Sequence, residues 1–163
     1  MALEPFQKKM IQLYEEQELQ LACMYEKLAA AFPDYTSEFQ ALAGEEREHA
    51  GWIKHLKGCI DNGTASFSEG KTRTYTITAL ITYIKGIIAS LDRDELGLHK
   101  AMALVVDTEK SFIERQVFKR FAGDSGEVVR VLKILEDSQR EHLSQIELFA
   151  HQVWCALAAK PKG

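Results

Sequence analysis

The chain is short of residues that break helices and of residues that cross-link a fold. Only 3 prolines and 10 glycines occur in 163 residues, which favours long uninterrupted helices. The 3 cysteines, Cys23, Cys59 and Cys155, are odd in number, widely separated and without a C-x-x-C pair. Neither a zinc ribbon nor a four-cysteine iron centre can be built from them, and reduced thiols in a cytoplasmic protein are the expected state. The start, MALEPFQKKM, lacks an apolar core, so no secretory leader is expected. A long charge-free apolar run is also missing. The nearest approach, ITALITYIKGIIASL (77–91), is short and contains Lys85, which predicts a buried segment and no membrane partner. Basic residues are not in excess either. The formal net charge is -4, which argues against a nucleic-acid partner.

What remains is an ordinary globular composition, 46% hydrophobic and 27% charged, in a length suited to one domain over residues 1–163. Helical periodicity dominates. From Phe6 through Leu13, Tyr14, Leu21, Tyr25 and Leu28 to Phe32, apolar residues recur at steps of three and four. Pro33-Asp34 ends that run, and Thr36 or Ser37 is placed to cap a second helix to about Ile60, with Phe39, Leu42, Trp52, Ile53 and Leu56 on its apolar stripe. DNGTASFSEGKT (61–72) reads as a loop. Segment 74–91 has strand-like Thr, Ile and Tyr content but no evident partner strand, so a partly helical crossover suits it better. Asp92 or Asp94 can cap a third long helix to about Phe121, AGDSGE (122–127) reads as a turn, and Asp124 or Ser125 can cap a fourth from Glu127 to about Ala158. The expected fold is all-α: an antiparallel, ferritin-like four-helix bundle made of two hairpins joined by a crossover segment.

An internal repeat points the same way. A shift of 93 residues sets Arg47-Glu48-His49 on Arg140-Glu141-His142, Tyr25 on Phe118, Leu28 on Phe121, Phe39 on Leu132 and Leu42 on Leu135. Two similar hairpins can pack about an approximate twofold axis, and a pair of metal ions can sit on it.

Within the repeat lie GEEREHA and DSQREHL. Glu46 and His49 are about 60° apart and one turn along a helix, so both can reach one point in the core. A carboxylate can bridge two cations while an imidazole binds one of them, a combination that suits Fe, Mn or Zn better than Ca or Mg. Such sites add one inward Glu from each of the other two helices. On the first helix Glu18 shares its face with Leu21, Ala22, Tyr25, Leu28 and Ala29, where an uncompensated carboxylate is costly. On the third, Glu109 heads a face containing Phe112, Ile113 and Val117. The carboxylates of Glu16, Glu26, Glu38, Glu45, Glu48, Glu114, Glu127 and Glu141 are expected on solvated faces. His55, His99 and His151 have no carboxylate three residues earlier and read as surface or incidental, and Trp52 reads as packing. The blander reading of His49 and His142 is core histidines satisfied by neighbouring carboxylates.

LAGEEREHAGWI, preceded by EQELQLACMYEKLA, resembles the first half of a rubrerythrin-type ferritin-like domain, an E-x6-Y helix followed by an L-A-x-E-E-x-x-H-A helix. TEKSFIERQVF followed by VLKILEDSQREHLSQIELF resembles its second half, so the resemblance covers nearly the whole chain. It implies Glu18, Glu46 and His49 as metal ligands from the first hairpin and Glu109 and His142 from the second, with Gln139 at the position of a second-half glutamate. It also implies two iron ions (Mn or Zn being alternatives), Glu46 as the bridge, and peroxide-reducing, O2-reducing or ferroxidase activity in which Glu46 and Tyr25 take part. Rubrerythrins also carry a rubredoxin-like centre. This chain has no cysteines spaced for one, which implies an external electron donor.

Three departures matter. Gln139 offers a neutral oxygen, a poor bridge, and removes a negative charge. Tyr25, more often core filling than redox-active, has no tyrosine echo. The 93-residue shift places Glu109 on Glu16 and Ser111 on Glu18, a two-residue offset that a longer AGDSGE loop would absorb. The rival expectation is therefore a degenerate scaffold with mononuclear, weak or no metal binding, acting as a binding or structural protein. Iron storage through oligomers is a third, and a homodimer through an outer helix face fits either.

Overall fold

A computed structural model of the chain describes residues 3–114 and 117–160, with the side chains of residues 112–114 outside the description. The expectations for Phe112, Ile113 and Glu114 therefore lie outside the described residues. The fold is all-α apart from one short ladder. Five α-helices occur among the described residues: α1 (Pro5–Ala31), α2 (Thr36–Asp61), α3 (Thr74–Asp92), α4 (Leu98–Glu114) and α5 (Gly126–Ala159). Two-residue strands β1 (Ser66–Phe67) and β2 (Phe121–Ala122) pair antiparallel, Ser66 opposite Ala122 and Phe67 opposite Phe121.

Helix ends follow from local chemistry, not always where the sequence places them. At the start of α1, Pro5 is pre-set for helical φ and the Gln7 Oε1 accepts the Glu4 N–H at 3.0 Å. Thr36 does not cap α2. Its hydroxyl lies 3.0 Å from the carbonyls of Ala29 and Pro33, closing the turn between α1 and α2, while Tyr35 occupies the N-cap without a side-chain bond. Neither Asp92 nor Asp94 caps α4, which begins only at Leu98. Asp92 instead ends α3, and Asp94 takes a left-handed φ of 54° in the connection. Ser125 does cap α5, accepting the Val128 N–H at 3.2 Å.

Segment 74–92 is helical throughout. Its β-branched content is overridden by a stripe of Ile77, Leu80, Ile81, Ile84, Ile87 and Leu91, all buried, on the side that packs against α1. Among the described residues α3 alone is long and apolar enough to cross a membrane by length and composition, with about 33% of that window buried. Its outer face carries Thr78, Thr82 and Lys85, and Lys85 pairs with Glu16 of α1 at 3.1 Å. The third long helix also departs from expectation. Val117–Arg120 is a 3-10 turn and Phe121 belongs to β2, so Phe118 and Phe121 are not helical counterparts of Tyr25 and Leu28.

Two apolar clusters make the core. One gathers Leu21, Tyr25, Leu28, Phe39, Leu42, Met102, Val105 and Ile146, and the other gathers Met10, Tyr14, Ile53, Leu56, Phe118, Val131 and Leu135. Helices α1, α2, α3 and α5 each cross from one cluster to the other, and the described side chains of α4 that join a cluster lie in the first. Phe39 and Leu42 of α2 belong to the first, whereas Leu132 packs on the second and Leu135 lies in it, so α2 and α5 run in opposite senses. That exchange of ends is what an approximate twofold between the repeats requires. Helix α3 starts in the second cluster with Ile77 and finishes in the first with Leu91, carrying the chain back across the molecule. Between the clusters lies a polar layer.

Candidate metal centre

The polar layer is set by sequence position. Glu18 falls between Tyr14 of one cluster and Leu21 of the other, Glu46 between Ala43 and Ile53, and His142 between Leu135 and Ile146. Five ionisable side chains from four helices meet there almost without solvent: Glu18 at 0% exposure, Glu46 at 1%, His49 and Glu109 at 3%, and His142 at 4%. They form two donor groups, Glu18–Glu46–His49 and Glu46–Glu109–His142, each with its ligand atoms within 4.8 Å of one another. Glu46 belongs to both.

Within the first group, His49 Nδ1 lies 3.0 Å from Glu46 Oε2 and 3.8 Å from Glu18 Oε2. Neither oxygen of Glu18 receives a hydrogen bond among the described residues. In the second, Tyr25 donates its hydroxyl to Glu109 Oε1 at 2.5 Å, and His142 Nε2 sits 3.4 Å from that same oxygen. His142 Nε2 also lies 2.6 Å from Glu46 Oε1 without hydrogen-bond geometry. The imidazole rings of the two histidines are 5.9 Å apart, centroid to centroid.

Each histidine is oriented by its far nitrogen. His142 Nδ1 pairs with Glu45 Oε2 at 2.5 Å, and His49 Nε2 with Ser138 Oγ at 2.8 Å. Fixing one ring nitrogen selects the tautomer and aims the other, the arrangement that tunes histidine ligands. Glu45, expected on a solvated face, is thus a positioning residue, and Ser138 had no signal of its own. Gln17, beside Glu18, is a third residue the sequence does not single out: it is fully buried, and neither amide atom has a partner among the described residues. Gln139 stands one turn before His142. Its Nε2 is buried without a partner among the described residues, and the side chain also lines a groove of about 670 Å³ with Phe118, Leu132, Lys133 and Leu143.

Burial and mutual charge divide the titrations. Burial pushes Glu18 well above the usual carboxylate range, reinforced by the Glu46 charge. Glu109 is raised for the same two reasons, although His142 and Tyr25 oppose the shift. Burial also opposes ionisation of Glu46, but His142 and His49 outweigh it and hold that carboxyl well below its ordinary value. For His142 burial favours the neutral ring, yet Glu109, Glu45 and Glu46 push its pKa up to about 12. The Tyr25 phenol is raised well above 10.0, first by burial and then by Glu109.

The donor set fits a divalent transition metal. Three carboxyl groups and two imidazoles, all buried, offer N and O donors of the kind that iron, manganese or zinc binds. A recess of about 340 Å³ lined by Glu45, Asp137, Ser138, Glu141 and His142 adjoins the layer at His142. Comparison with protein-family models, curated proteins and solved structures finds no match to this chain.

Proposed function

We propose that the chain is a rubrerythrin-like, ferritin-like carboxylate protein that holds two metal ions, iron by preference, and acts as an oxidoreductase on peroxide, O2 or Fe(II). Helices α1, α2, α4 and α5 would be its two hairpins and α3 the crossover. The observation that carries the reading is the convergence of Glu18, Glu46, His49, Glu109 and His142 in one water-poor layer, as two donor groups sharing Glu46. Glu18 and His49 would hold one ion, Glu109 and His142 the other, and Glu46 both. Bound ferrous ions would supply two electrons to an oxidant.

The protein's own contribution is orientation and proton control. Glu45 and Ser138 aim the two imidazoles, and the apolar clusters keep water from both sides of the layer. Tyr25 keeps its proton and donates it in a hydrogen bond to Glu109, so that carboxylate is fixed while Glu46 stays anionic. The acidic recess beside His142 would attract cations and admit a small oxidant. For peroxide or O2 reduction the electrons would come from outside these residues, whose three cysteines are free and not spaced for a second iron centre, whereas in the ferroxidase reading Fe(II) itself supplies them.

A second reading, a scaffold without metal chemistry, is favoured by one observation. All four ring nitrogens of His49 and His142 already have a polar neighbour within 3.0 Å. Elemental analysis of protein expressed with iron or manganese, paired with anomalous scattering to locate each ion, decides between them. Two ions flanking Glu46 are expected. Metal-free protein under both conditions, or ions only elsewhere, would sink the metal reading and leave the scaffold.

A further inference from the structure

We propose a second metal site, at the surface and independent of the buried layer, formed by His55, Cys59 and Glu127 and selective for zinc-like ions. His55 and Cys59 are one turn apart near the end of α2, and Glu127 stands in the first turn of α5. Their ligand atoms lie within 4.8 Å of one another. His55 Nε2 is the common point, 3.1 Å from Glu127 Oε1 and 3.6 Å from Cys59 Sγ. A tetrahedral zinc ion with ordinary bond lengths needs a sulfur–nitrogen edge of about 3.6 Å and a nitrogen–oxygen edge of about 3.3 Å. Two of the three donor–donor edges are therefore already close to those of one ion, and the third lies within 4.8 Å. Solvent supplies the fourth position, since the side chains of His55 and Glu127 are 38% and 59% exposed.

The surrounding fold holds these donors in place. The Cys59 carbonyl accepts the N–H groups of Thr64 and Ala65 at 2.9 and 3.2 Å, fixing the chain as it leaves α2. β1 then pairs with β2, which delivers the start of α5 beside the end of α2. Gly123 makes that approach possible, because a Cβ there would meet the Thr64 carbonyl at 2.6 Å. Ser125 caps α5 two residues before Glu127. A similar pair exists elsewhere, His151 and Cys155, with a sulfur–nitrogen distance of 3.6 Å, but it joins no third ligand among the described residues. It serves as an internal control. Thiolate, imidazole and carboxylate together select Zn(II) or Co(II) over Mg or Ca, and the ion would clamp α2 to α5.

Cobalt provides the test, because the buried layer contains no sulfur. Metal-stripped full-length protein titrated with Co(II) to saturation should develop a near-ultraviolet thiolate-to-cobalt band with the amplitude of one ion per chain, together with the visible bands of a tetrahedral ion. Cys59→Ser should lose the thiolate band and Cys155→Ser should keep it. Should Cys59→Ser fail to fold by circular dichroism, the exposed substitutions His55→Gln and Glu127→Gln replace it, the first losing the band and the second weakening Co(II) binding. Glu46→Gln should leave the band intact, so failure of the buried-centre reading does not touch this one. Absence of a thiolate band in the native sequence overturns the proposal, as does its persistence without Cys59 or unchanged binding in both His55→Gln and Glu127→Gln.

Discussion

The α1–α2 pair brings Glu18, Glu46 and His49 to the polar layer, whereas the α4–α5 pair brings Glu109 and His142 and sets a serine hydroxyl against the opposite histidine. The first pair is therefore richer in carboxyl groups and poorer in partners, with both Glu18 oxygens lacking a hydrogen bond. In the second, His142 is held cationic by Glu109, Glu45 and Glu46 and supplies the positive charge that those carboxylates need. Such a layer holds a cationic imidazole in one half and, in the other, a carboxyl that burial and the Glu46 charge push towards its protonated form. A metal in the first group mainly gains a partner for Glu18. One in the second must first displace the His142 proton. The two positions should therefore fill unequally, for electrostatic reasons as well as for the missing Gln139 carboxylate.

The largest effect is expected where the two halves meet. Glu46→Ala removes the ligand common to both groups, so metal content after dialysis should fall from two ions towards none. It also strips His142 of the buried carboxylate 2.6 Å from its Nε2, which should cost roughly 3–5 kcal/mol of metal-free stability in urea denaturation. Retention of both ions by this variant would separate the groups and break the shared-ligand account.

Glu18→Gln should have a smaller effect of opposite sign on the fold. Replacing a buried carboxyl that Glu46 repels by a neutral amide should raise metal-free stability by about 1–3 kcal/mol near neutral pH while removing one of the two ions. The pH profile tests the same point. Glu18 and Glu109 are raised above 4.5, and His142 is raised from 6.5 to about 12, so the folded protein holds more protons than the unfolded chain. Stability must then fall as pH climbs through that window. Glu46 works the other way, but its contribution is complete above 4.5 and is lost only in acid. Chelator-treated protein should therefore weaken between about pH 5 and pH 9, and metal-loaded protein should strengthen, because the ligands must deprotonate to bind. A flat metal-free profile would remove the electrostatic contrast between the halves.

Much of this arrangement is written in local pattern. The apolar steps of α1, α2 and α5 are regular, and an i to i+3 carboxylate–imidazole pair can be read off one helix, so Glu46 and His49 are legible. Glu18 is legible as a charge inside an apolar stripe. Composition misleads at α3, where Thr and Ile suggest a strand although Ile77, Ile81 and Ile84 recur with helical spacing. The repeat misleads at Phe118 and Phe121, which reach the second cluster from a 3-10 turn and a strand, not from a helix. Side-chain identity was sufficient there, but backbone conformation was not. Glu45 and Ser138 are illegible for a different reason. Each acts on a histidine of another helix, and no spacing within one helix encodes that contact.

Gln139→Glu addresses the asymmetry directly. The amide is already partly buried one turn before His142, so a carboxylate there restores the charge that the repeat lacks. The weaker of two binding steps should tighten by about 10–100-fold in a competitive Fe(II) or Co(II) titration, the range over which neighbouring ligand groups tune metal affinity. The metal-free form should lose stability, having gained another buried anion. An unchanged second step would place position 139 in the adjoining groove and trace the inequality to His142 alone.

The smallest expected effect comes from Ser138→Ala, compared with Glu45→Gln. Each removes the partner that orients one histidine, so each should weaken only the position served by that ring. The Ser138 hydroxyl makes a neutral hydrogen bond at 2.8 Å, worth roughly 0.5–1.5 kcal/mol, or between about 2- and 12-fold in affinity at the His49 position. The Glu45 carboxylate makes a charge-assisted contact at 2.5 Å and should matter more at the His142 position. Site-resolved occupancy from anomalous scattering at limiting metal separates the two. If Ser138→Ala depletes the His142 position instead, or both substitutions deplete both positions alike, the histidines are not independently aimed and the layer titrates as a single unit.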